Sequence, residues 1–238
     1  MQNLNNEAIL NEFINLRSDV RESLSTVPIV NKKKFAELIQ PLDILVVGTP
    51  RIPGLTTTEK IIQKIGSTSL KVLQGSEYSS SKIVSLDKEY IYAYGLDRIV
   101  TEMNVEERQF SRYTLHEYLR LMINGCLVRV PNLEYEQKLK IQQYLNKQLG
   151  LKYDNSSVIK IGWNKFIKHL PFLKVDVEEP QNKRQLLNMK NGLICSTVIT
   201  AAFLYGAGIK LTDNPLEVWP NDLLVSSKTQ KIARIESK

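Results

Sequence analysis

Two cysteines and two histidines are all the thiol and imidazole chemistry this chain holds. Of the four, Cys195 has the most loaded setting. It lies within residues 191–211, NGLICSTVITAAFLYGAGIKL, after an Asn191-Gly192 turn and at the expected head of a short apolar helix that Gly206 and Gly208 would end with a left-handed cap. A helix N-terminus presents unpaired N–H groups and a partial positive charge, both of which favour a thiolate over a thiol and so make a nucleophile. The commoner fate of a free cysteine is to be a small core residue, and both readings stand for Cys195. Cys126, in the apolar run CLVRV, reads as core. Two cysteines and two histidines make neither a disulfide framework nor a zinc site, so no metal and no cofactor is expected.

The elements that must position Cys195 follow from the hydrophobic pattern. Ile9, Phe13, Leu16, Val20 and Leu24 recur at steps of three and four, which predicts an amphipathic helix over 6–25 that Pro28 stops. With the linker 25–34 and its three lysines, this forms an N-terminal extension, 1–34, whose apolar stripe is expected to face a protein partner. A short helix is expected over 34–40, and DILVV at 43–47, between Pro41 and Gly48, reads as a buried strand. A capped helix over 56–66 precedes strands at 83–86, 90–94, 98–102 and 126–130, with a helix over 115–122 among them. Residues 134–149 carry Ile141, Leu145 and Leu149 on one helical face and end at Gly150. A further helix over 155–170, a strand over 172–177 and a polar loop over 178–190 lead to Cys195, and a turn at 220–224 precedes a basic tail, 228–238. The main domain is thus expected over 35–227.

A chain of 238 residues with 42% hydrophobic content can bury one substantial core. Its net charge of +7 is scattered except at Lys32-Lys33-Lys34 and near the C-terminus, and no nucleic-acid-binding motif accompanies it. No specific nucleic-acid partner is expected. The longest apolar stretch, 193–209, is broken by Ser196, Thr197, Thr200 and two glycines, so no membrane span is expected. The opening MQNLNNEAILNEF has no signal-peptide pattern, which predicts cytoplasmic synthesis.

Several spaced segments resemble the circularly permuted branch of the NlpC-type papain-like cysteine peptidases and amidases. PLDILVVG at 41–48 is similar to the opening GDILL strand of that family, with Leu42 at the glycine. YSSSKIVSLDKEYIYAYG at 78–95 resembles its paired strands, which begin Y-S-H. TLHEYL at 114–119 with CLVRV at 126–130, LGLKYD at 149–154, LICST at 193–197 and WPNDLLVSSK at 219–228 resemble later segments in the same order. The resemblance implies an α+β fold, with an antiparallel, barrel-like sheet, helices packed to one side of it, and the cysteine at a helix N-terminus facing the sheet. It also implies a strand histidine paired with the thiolate and a third polar residue that orients the ring.

On that alignment Cys195 takes the nucleophile position, while the histidine position falls on Ser80 and the third position on Tyr92. A serine hydroxyl is no base near neutral pH, and tyrosine is a donor there. Lys82, two residues on and so on the same strand face, is the candidate substitute base. His116 precedes the fifth strand, away from the nucleophile in that layout, and His169 lies before Pro171. Both are expected to be ordinary polar side chains. Two functions follow: a catalytically impaired papain-like domain that serves as a structural or binding module, or an active hydrolase or acyltransferase on a peptidoglycan peptide or lipid acyl group with Cys195 as nucleophile. The family's occurrence in bacteria and large viruses, phages included, extends the first to incorporation in a virion or other large assembly.

Overall fold

The computed structural model describes residues 18–48, 78, 80–94, 109–151, 195–215 and 218–236. The helices expected at 56–66 and 155–170, the strands at 98–102 and 172–177, the loop at 178–190 and His169 lie outside them.

The described residues build an α+β structure on six antiparallel strands: β1 (Ile44–Val47), β2 (Ser80–Val84), β3 (Tyr90–Tyr94), β4 (Phe110–Thr114), β5 (Gly125–Arg129) and β6 (Gln230–Ile235). They lie side by side in the order β4-β3-β2-β1-β5-β6. Among the described residues the first and last strands of that order do not pair, so the sheet they build is open where the resemblance implied a barrel. In the central strand β1, Ile44 pairs with Ile83 and Val128, and Val47 with Ser80 and Gly125. Both faces of β1 are buried, which is why ILVV is a continuous apolar run rather than an alternating one.

Helices cover both faces, a second departure from the expected one-sided packing. On one face Ile44, Val46, Ile83, Tyr92, Cys126 and Val128 share a core with residues of α1 (Ser18–Ser25), α4 (Tyr135–Lys147), α5 (Cys195–Ala207) and α6 (Asp222–Val225). On the other, Leu45, Val47, Val84, Ile91 and Leu127 meet Phe35 of α2 (Lys32–Leu38) and Leu115 and Tyr118 of α3 (Leu115–Leu121). Local signals start several of these elements. Asn31 caps α2, its Oδ1 accepting from the Lys34 amide at 2.9 Å, and thereby draws Lys32 and Lys33 into the helix rather than a linker. Glu134 and Gln137 form a reciprocal capping box at the start of α4. The β2–β3 turn is tied by Asp87, which accepts from the Ser85 hydroxyl and from the Glu89 amide.

The expected domain limits are corrected at both ends. Val20, Leu24 and Val27 are buried in the core beside α5, so the described part of the N-terminal extension belongs to the domain. Ile9, Phe13 and Leu16 lie outside the described residues. Residues 230–235 are no tail either: they form β6, which pairs with β5 and buries Ala233 and Ile235, with a register shift between the Leu127–Ala233 and Val128–Lys231 pairs. A strand this short, interrupted by a register shift and carrying Lys231 and Arg234, reads as basic surface until a partner strand is present. The outer edge of β6 is in turn covered by the N-terminal segment, Val30 N donating to Arg234 O and Arg234 N to Pro28 O, each at 2.9 Å. An otherwise open edge is closed in this way.

Candidate functional site

Cys195 is the first described residue of α5, and its side chain is buried. Val198, Ile199, Ala202 and Phe203 extend from it along the core, and the helix packs against β2. Small polar groups anchor the helix on its other sides. Ser196 donates its hydroxyl to Val218 O, and the Thr200 hydroxyl lies 3.1 Å from Pro215 O. The segment it leans on is held by Asp222, whose Oδ2 accepts from the Trp219 amide at 2.8 Å. The WPNDLL residues are thus a capped turn that supports the helix carrying the thiol.

Ser80 opens β2, and its Oγ lies 3.7 Å from the Cys195 sulfur, where the hydroxyl donates a weak hydrogen bond. The thiol and the position aligned with the family's histidine are therefore neighbours. The chemistry available to the pair is limited. Sulfur can accept from the serine, but the serine has no basic lone pair that would hold the thiol proton at neutral pH.

Lys82 is placed elsewhere. It is 1% exposed, it pairs across the sheet with Leu45, and its ammonium stands 6.0 Å from the centre of the Tyr118 ring on the α2/α3 side. Cys195 belongs to the core on the other side. Strict alternation would send Ser80 and Lys82 the same way. Ser80, as the first residue of the strand, instead reaches the thiol at the strand end, and the expectation that Lys82 shares its outlook fails there. His116 is an exposed residue near the start of α3, on the face away from the thiol.

Tyr92 turns out to be an architectural residue. Its hydroxyl donates to Asn146 Oδ1 at 2.5 Å and accepts from Gln142 Nε2, both on α4, while its ring stacks on Phe110 at 5.9 Å. Burial pushes its phenol above the ordinary range. Gln142 also accepts from the Leu86 amide, so Tyr92 and Gln142 together pin the β2–β3 hairpin to α4. Cys126 is fully buried beneath the sheet, and desolvation pushes its thiol up to about 12. It is locked in the neutral form.

Sequence reasoning missed one buried ionic cluster. Asp43, 1% exposed, takes Arg129 in a two-pronged contact, Nε to Oδ1 at 2.8 Å and Nη2 to Oδ2 at 2.7 Å. Arg129 also donates to Leu38 O at 2.8 Å, and Asp43 accepts from the Gln40 amide at 2.7 Å. Burial, the largest influence, pushes the Asp43 carboxyl up, with Arg129 pulling the other way. The cluster joins the end of α2 to β1 and β5. An acidic residue directly before a buried strand and an arginine at the end of another were the available signals, but only the register brings them together.

Among the described residues no group of three or more His, Cys, Asp or Glu side chains is arranged to hold a metal ion, and no helix is long and apolar enough to cross a membrane. No protein-family model matches the chain, and no curated protein matches it in sequence. Among solved structures it is similar to the crystal structure of the metalloprotein yiiX from Escherichia coli O157:H7, at 16% identity and a TM-score of 0.48, over 84% of this chain and 98% of that one.

Proposed function

We propose that the chain is a permuted NlpC-type papain-like domain whose hydrolytic pair has been dismantled and which acts as a structural or binding module. The observation that supports this reading is the Ser80 hydroxyl 3.7 Å from the Cys195 sulfur, at the position the family gives to its histidine. The site keeps a nucleophile and lacks, in its serine neighbour, both the base that would ionise it and the acid that would protonate a leaving amine. Loss of general acid–base assistance typically removes about 10²–10⁴-fold of rate. The buried lysine and the hydrogen-bonded tyrosine offer no replacement, since each is engaged with another part of the fold. A protein partner belongs to the same proposal, with Ile9, Phe13 and Leu16 as the candidate contacts.

The test is alkylation of the folded protein with iodoacetamide across pH 6–9, with Cys195→Ala as the blank for Cys126. Slow labelling at pH 6 is expected, slower than a thiol assisted by an imidazole would show, and Cys195→Ala should leave the protein's biological role intact. Rapid labelling at pH 6, together with loss of that role in Cys195→Ala, would overturn the proposal in favour of a working cysteine hydrolase or acyltransferase.

A further inference from the structure

We draw no further inference here: the strongest candidate, the exposed face of α4 and α5 where Tyr144 and Tyr205 stack at 5.9 Å, is an unpartnered aromatic surface, and nothing in the structure shows what covers it.

Discussion

Serine and histidine differ, at position 80, in the one property a thiol needs from its neighbour. An imidazole can hold a proton near neutral pH, whereas a hydroxyl can only donate or accept a hydrogen bond. Because Ser80 Oγ already touches the sulfur, Ser80→His is expected to raise the alkylation rate of Cys195 at pH 6–7 by roughly tenfold or more, since an adjacent imidazole can take up the thiol proton that a hydroxyl cannot. An unchanged rate would mean that the two side chains do not face each other in solution. Hydrolysis should recover weakly at most, because the Tyr92 hydroxyl is engaged by Gln142 and Asn146 and would not orient the new ring. The other thiol makes a separate prediction. Cys126 binds its proton more tightly when folded, with a pKa of about 12 against an ordinary 9.0. The unfolded chain therefore loses that proton first as the solution turns alkaline. Stability should fall as pH rises from 9 towards 12, by up to about 1.4 kcal/mol per pH unit from this one group. Urea titrations of Cys126→Ala should show a shallower fall over the same window, beside a pH-independent loss from the small cavity.

At the scale of the element, the close crossing of α4 and α5 rests on Gly206. A Cβ there would come 2.7 Å from Ile141 N and 2.8 Å from Ile141 Cα, backbone atoms that cannot swing aside. Gly206→Ala should force the helices apart and cost about 1–3 kcal/mol, as overpacking typically does, read as a lower urea midpoint at constant m. Gly208 is the useful contrast. It has a left-handed φ of +71° and nothing within 4 Å of an added Cβ, so Gly208→Ala should cost only the backbone penalty, about 1 kcal/mol. If the two substitutions were equally mild, the helix crossing would be looser than the distances indicate. The Asp43–Arg129 clamp works at the same scale, across α2, β1 and β5. Arg129→Met leaves a buried carboxylate unpaired, and the expected loss is about 3–5 kcal/mol. The double variant with Asp43→Asn should recover part of it.

For the whole molecule, the first and last described segments are fastened to each other. Ser23 donates to Leu224 O at 3.2 Å, and Lys231 Nζ donates to both Ser23 Oγ and Leu224 O, which ties α1, α6 and β6 together. Val20, Leu24 and Val27 each bury a side chain worth about 1.5–3 kcal/mol in the common core. Deleting residues 1–34 should therefore unfold or severely loosen the domain, seen as dye binding and a lost cooperative melt. Removing only 1–17 keeps each of these contacts, and on the proposed role of Ile9, Phe13 and Leu16 it should cost partner binding rather than the cooperative melt. A normal melt after the larger deletion would show that the N-terminal segment contributes little. Deleting 228–238 removes β6 and leaves β5 as a bare apolar edge, for which aggregation is the expected outcome.

What the amino-acid order determined by itself was local. The 3.6-residue period and the closing Gly150 mark α4 within a few residues, the apolar ILVV run marks β1, and YIYAY marks β3 at its observed limits, because these signals lie within one element. The helix that carries Cys195 was legible for the same reason. Strand β4 was not, since FSRYT is half exposed and acquires its identity from pairing with β3. Nor was β6, whose charged residues read as tail until β5 lies beside them. At the site, the sequence could align Ser80 with Cys195 but could not separate Lys82 from them: period two places both strand residues on one face. Only the packed structure, with Ser80 reaching the thiol from the strand end and Lys82 buried against Tyr118, decided that a hydroxyl and not an amine meets the sulfur. Contacts between residues more than a hundred positions apart depend on how strands and helices stack, and no local pattern encodes that distance.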